Sequence, residues 1–115
     1  MAWSHWRFLA DEDTWRIEDL SYEGHACYEL GIKRKWKRRV IPVYVGNTGN
    51  LHKRMNDYAR DGSHLRGLLL KYWKHDYVLY FRYFPYRKKE TAQKAEKKRL
   101  TQFGLERYPW NTQLD

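Results

Sequence analysis

The sequence predicts an α/β protein of the α+β kind: a small three-stranded sheet flanked by helices, in the order β-β-α-α-β-α, behind an N-terminal extension. Three observations carry the prediction. The chain has 115 residues, room for one core and not for two. Hydrophobic residues make up 42% and aromatics 17%, enough to pack that core and to exclude disorder as the overall state. Short runs rich in Val, Ile, Tyr and Phe alternate with stretches whose apolar residues recur at helical spacing.

Residues 1–25 read as an acidic arm or cap, and residues 26–115 as the domain proper. Within the arm, residues 10–20 are expected to form a short helix anchored by Trp15 and Ile17 or Leu20. Residues 26–30 and 41–45 are β-prone, and the basic segment between them makes the pair a hairpin. Pro42 sits near the start of its strand, where a missing N–H is tolerated. The turn-forming run Gly46-Asn47-Thr48-Gly49-Asn50 then offers Thr48 or Asn50 as a helix cap. In the helix that follows, Leu51, Met55 and Tyr58 share a face with Arg54. A second helix is expected from His64 to Trp73. Residues 77–84 form the strongest strand, ended by Pro85, and a last helix spans roughly residues 90–103.

Charge is distributed unevenly. Residues 1–25 carry a net −4 and residues 26–115 a net +13, within a total of +9. A field of that sign gathers polyanions, nucleic acid above all. An anionic membrane would answer the same charge, but the sequence has neither a long apolar run nor a basic helix with a strong apolar face. Cys27 is the only cysteine, which excludes an intramolecular disulfide and a cysteine-based zinc cluster. Residues 1–10 lack the basic-then-apolar pattern of a secretory leader. The expected location is cytoplasmic.

The last helix contains the most telling residue. Ala92, Ala95, Leu100 and Phe103 lie on one face, and Glu96 and Arg99 fall on it too. A carboxylate on an apolar stripe is costly unless something answers its charge. Either it pairs with Arg54 or Arg99, or it ligates a hard cation such as Mg²⁺. Tyr28 and Tyr44, on neighbouring strands, read in isolation as core aromatics, and Arg54 with Tyr58 one turn later as an ordinary helix face.

Taken together, these residues resemble the GIY-YIG nuclease family, and in particular its small phage endonucleases. Ala26-Cys27-Tyr28 matches the first motif and Tyr44-Val45-Gly46 the second. Arg54 follows the second motif as the family's catalytic arginine does, with Tyr58 four residues on. Ala92 and Glu96 match the metal-binding glutamate and the alanine one turn before it, and Pro109-Trp110-Asn111 the close of the domain. The first motif departs in having Ala26 and Cys27, the hairpin is unusually long, and Asn47 stands where many members carry a lysine or arginine.

The resemblance implies a metal-dependent endonuclease that hydrolyses DNA phosphodiester bonds with Tyr28, Tyr44, Arg54, Tyr58 and Glu96. Glu96 would hold one Mg²⁺ (or Mn²⁺), and Arg54 would bind the phosphate opposite it. Tyr44 or Tyr28 would position the water and accept its proton. The assignment taken here is Tyr44, with Tyr28 aligning the site and Tyr58 relaying. Gly46, Asn47 and Asn111 would support the site. Lys33, Arg34, Lys35, Trp36, Lys37, Arg38 and Arg39 would clamp the DNA backbone, and Trp36 would either stack on a base or fold onto the core. The substrate would be duplex or branched DNA, and the protein a monomer, a homodimer or part of a larger complex that supplies specificity. The alternative from another class is a non-catalytic nucleic-acid-binding module that retains the nuclease fold.

Overall fold

A computed structural model describes residues 2–16, 20–60 and 63–113. Four antiparallel strands, β1 (Arg7–Ala10), β2 (His25–Arg34), β3 (Ile41–Thr48) and β4 (Tyr77–Tyr86), form one sheet in the order β1-β4-β2-β3. Three helices, α1 (Leu51–Arg60), α2 (Arg66–Lys74) and α3 (Lys89–Arg107), flank it. A 3-10 turn at Ser63–Leu65 precedes α2, and another at Pro109–Gln113 follows α3. The α+β class, the hairpin and the three domain helices agree with the sequence. The strand count does not.

The extra strand comes from the segment read as an acidic arm. Arg7 and Phe8 pair with Phe81 and Tyr80 of β4, and a bulge separates Phe8 from Ala10. Leu9 and Ala10 are fully buried. The helix expected over residues 10–20 does not form in residues 10–16; residues 17–19 lie outside the described residues. The chain turns back on itself here, the Asp11 N–H donating to the Thr14 carbonyl (2.8 Å) and the Arg16 N–H to the Leu9 carbonyl (2.9 Å), and Asp11 braces the turn. Its Oδ1 accepts the backbone N–H of Asp13 (2.9 Å), the N–H of Thr14 (2.8 Å) and the Thr14 hydroxyl (3.1 Å), which closes a tight turn. Such local side-chain bonds compete with a helix for the same donors.

Period-two alternation along β2 divides the core between the two faces of the sheet. Tyr28, Leu30 and Ile32 join Leu51, Met55 and Tyr58 of α1 and Leu69 of α2. Cys27 and Val45 face the other way, with Tyr108 and with Ala95 and Leu100 of α3. Strand β4 runs past Pro85, which pairs with Ala26. This is possible because β1 pairs only with Leu79–Phe81, so the missing N–H of Pro85 deprives no second neighbour. Helix α3 breaks at Gly104, where φ is 64°, a left-handed conformation that favours glycine. The expected end at residue 103 corresponds to this break. No helix among the described residues is long and apolar enough to cross a membrane.

Candidate active site

Strand register and helix phase bring the expected tyrosines together. Tyr28 of β2 stands opposite Gly46 of β3. A β-carbon at position 46 would lie 2.5 Å from Tyr28 Oη and 2.6 Å from Cζ, so only glycine lets that phenol lie across β3. The ring then reaches over to α1, where Tyr28 and Tyr58 share a hydrogen bond of 2.8 Å between their hydroxyls. Ring centres of Tyr28, Tyr44 and Tyr58 lie 6.0–6.4 Å apart, and all three side chains are buried.

The edge of β3 is held by Asn111. Its Oδ1 accepts the N–H of Val45 (3.0 Å) and its Nδ2 donates to the Val45 carbonyl (2.9 Å). One side-chain amide thus does for the outer edge of β3 what a neighbouring strand would do. Val45 lies between Tyr44 and Gly46, so this clamp sets the backbone from which Tyr44 projects.

Electrostatics tie Arg54 and Glu96 to the same place. Burial pushes the Tyr28 and Tyr44 phenols well above the ordinary tyrosine range, and the proximity of Tyr58 adds to the effect. The Arg54 guanidinium opposes the rise at Tyr28, Tyr44 and Tyr58. The Glu96 carboxylate adds to it at Tyr44. At neutral pH, then, all three tyrosines are protonated phenols.

Glu96 projects from α3 towards β3, where the Asn47 side-chain amide donates a hydrogen bond to it. Burial raises its carboxyl above the ordinary range, and the Asn47 bond offsets only part of that rise. The sequence offered Arg99 as an ion-pair partner; Arg99 binds Glu29 instead, and among the described residues no ion pair forms at Glu96. Asn47 supplies a neutral donor. Glu96 is thus a partly desolvated carboxylate without an ion-pair partner among the described residues, a group that could hold a hard divalent cation. Among the described residues no three His, Cys, Asp or Glu side chains cluster into a fully protein-built metal cage.

Two residues escaped the sequence reading. His64, in the turn before α2, has its ring 5.6 Å from that of Tyr44 and 6.1 Å from that of Tyr58. Desolvation and Arg54 lower its pKa below the ordinary histidine value, so the imidazole is neutral at pH 7. It had been assigned only a place at the start of a helix. The turn geometry that aims it at Tyr44 leaves no periodic signature.

The other is Glu29, fully buried at the centre of β2. Arg82 Nε donates to its Oε1 (2.6 Å) and Arg99 Nη2 to its Oε2 (2.8 Å), the Tyr108 hydroxyl also donates to Oε2, and Arg107 approaches to 3.5 Å. Trp3 and Trp6 cover the arginines: the Arg82 guanidinium lies 4.7 Å from the centre of the Trp6 ring, and that of Arg99 is 4.7 Å from Trp3. A glutamate inside the apolar run Cys27-Tyr28-Glu29-Leu30 was the available signal.

The basic hairpin stands apart from the tyrosine cluster. Tyr28 precedes Arg34, the last residue of β2, by six positions, about 20 Å at ~3.3 Å per residue. Of the expected clamp, Lys33 and Arg34 belong to β2 itself, and Lys35, Trp36, Lys37, Arg38 and Arg39 lie beyond it. Trp36 is 61% exposed, so it does not fold onto the core. Cys27 is buried, its thiol pushed up to about 12, chiefly by burial and then by Glu96.

The GIY-YIG domain model, described as a GIY-YIG domain-containing protein, matches residues 3–115. The match thus includes the segment that forms β1. No curated protein and no solved structure matches the chain significantly.

Proposed function

The chain belongs to the GIY-YIG domain family, a family of nucleases, and from that premise we propose that it is an endonuclease that hydrolyses DNA phosphodiester bonds at the Tyr28–Tyr44–Arg54–Tyr58–Glu96 cluster. The observation that carries the reading is the convergence of a permanent cation, three phenols and a partly desolvated carboxylate from β2, β3, α1 and α3.

Each residue has a role that its surroundings suit. Glu96 would hold one Mg²⁺ or Mn²⁺, with Asn47 orienting the carboxylate. The bound ion supplies charge neutralisation at the scissile phosphate and at the leaving oxygen. Arg54, planar and always charged, grips the phosphate. The Tyr44 hydroxyl orients the attacking water. As phenols with raised pKa values, Tyr44 and Tyr28 are poor proton sinks at neutral pH, so Tyr44 takes the water's proton as it hands its own on through its hydrogen-bond partner Tyr58. Neutral His64, its ring 5.6 Å and 6.1 Å from the two, is the final acceptor. Tyr28, seated on Gly46 and bonded to Tyr58, keeps the phenol array in register.

The test compares wild type with Glu96→Ala on supercoiled plasmid, with Mg²⁺, with Mn²⁺ and with EDTA. Nicked or linear product from the wild type with metal alone supports the proposal, and the ratio of the two products reports on oligomeric state. Salt-sensitive DNA binding by both proteins without cleavage would point to a binding module on a nuclease fold. Equal cleavage by both would remove Glu96 from the mechanism.

A further inference from the structure

The hairpin end of β2 and β3 presents a surface that the cleavage chemistry does not use. Trp36 is 61% and Ile41 56% exposed. The Arg34 guanidinium lies 5.0 Å from the centre of the Tyr77 ring and 5.7 Å from that of Trp36, so two rings hold one cation in place. Trp36, Tyr77 and Ile41 border a hollow of about 610 Å³, and its remaining lining is Lys33, Arg34, Lys37, Arg38 and Arg39. Among the described residues, five cations and no acid line it. Lys35, the other cation of the run, is absent from this lining, and its ammonium acts on Asp11 instead.

Such a hollow selects for a ligand with a flat apolar face and an attached anion. An intact duplex offers only half of this: its phosphates would meet the cations, but its base faces are hidden in the stack and Trp36 would stay in water. An acidic peptide would likewise answer the charge and leave the indole uncovered. A nucleotide with its base free satisfies both parts, since every base has a face that stacks on an aromatic ring.

We propose that the hairpin hollow is a nucleotide site that takes an unpaired base of the substrate against Trp36, with the adjoining phosphates on Lys37, Arg38 and Arg39. The substrate class is then DNA with unpaired or unstacked bases, in branched, gapped or single-stranded form. This rests on the nuclease reading and narrows it. The hollow lies roughly 13–20 Å along the hairpin from Tyr28, since Ile41 pairs with Ile32 and Arg34 is two positions further on, so it grips the substrate away from the bond that is cut.

The test uses the whole protein in EDTA, so that binding is read without cleavage. Fluorescence anisotropy compares a labelled oligothymidylate, a blunt duplex of equal length, and that duplex with an internal run of unpaired thymidines, all at one salt concentration. The wild type is expected to bind the two probes with unpaired bases about tenfold more tightly than the blunt duplex. Trp36→Ala is expected to bring that ratio close to one, and Trp36→Phe, which keeps a ring, to preserve most of it. An unchanged melting temperature confirms that each variant is folded. A ratio near one in the wild type, or one that survives Trp36→Ala, overturns the proposal. Retained preference with no metal-dependent plasmid cleavage would instead overturn the nuclease reading and leave the nucleotide site standing.

Discussion

Two carboxylates lie between α3 and the sheet, and they are treated in opposite ways. Glu29 is completed: two arginines and a tyrosine hydroxyl bond it, a third arginine stands near, and its pKa is held below the ordinary carboxylate range despite full burial. Glu96 is left incomplete. Its partner is the Asn47 amide, and burial drives its pKa up. Three arginines surround Glu29, whereas among the described residues no ion pair forms at Glu96, the residue proposed to hold the metal. An ion pair at Glu96 would stabilise the apo protein, but a divalent cation would have to displace it. On the proposed reading, stability and metal binding fall to different glutamates.

The largest effect should come from disturbing the completed site. Glu29→Gln sets a neutral amide of the same size against Arg82 and Arg99, and urea unfolding at pH 7 should show a loss of about 3 kcal/mol. The pH dependence follows from the direction of the shift. Glu29 is more acidic folded than unfolded, so its contribution is complete above the ordinary carboxylate value of 4.5 and fades as pH falls through the lower folded value. The gap between wild type and Glu29→Gln should therefore narrow in acid. A gap independent of pH would mean that packing, not charge, is what Glu29 supplies.

A smaller effect tests the proton path at the incomplete site. His64→Ala should lower cleavage at pH 7 by about a hundredfold with little change in melting temperature. Neutral imidazole is the accepting form and its pKa is lowered, so wild-type activity should fall only below pH 6.5. In His64→Ala that acid limb should flatten. If it stays in place, another group sets it and His64 has no part in the transfer.

The smallest effect is the sharpest test of the contrast. Glu96→Gln keeps an oxygen for Asn47 and removes a desolvated charge. Because the folded pKa of Glu96 is raised, its ionisation costs stability once pH exceeds the ordinary value of 4.5, and the cost is complete above the raised folded value. The variant should thus be more stable than wild type at pH 7, by roughly 0.5–1 kcal/mol, and equal to it in acid. A loss of stability at pH 7 would show that Glu96 is as structural as Glu29.

What could be read from the sequence was what neighbouring residues decide among themselves. The path from Tyr44 through Gly46 and the bend at 49–50 to Arg54 and Tyr58 is one continuous segment, so register and helix phase fix its geometry locally. Glu96 was visible because a carboxylate interrupted an apolar helix face. The strand at Arg7–Ala10 was not, because its pairing partner is β4, some seventy residues away, and its four residues show no alternation. Nor was the Glu29 site, which gathers Arg82 from β4, Arg99 and Arg107 from α3 and Tyr108 from just beyond α3. The assignment of Trp36 was open between core and solvent, since its exposure depends on how a loop leaves its strands.

The Asn111 amide on Val45 also bears on how copies of the chain meet. Strand β3 is a border of the sheet, and an uncovered border is a template on which a strand from another molecule can grow. Asn111 occupies the donor and acceptor of Val45, and the opposite border, β1, is four residues long and bulged. Lateral growth from sheet to sheet is therefore obstructed at both margins. A chain this rich in tyrosine and tryptophan has a built-in guard against fibrous association, and the residue that sets the backbone of Tyr44 is part of that guard.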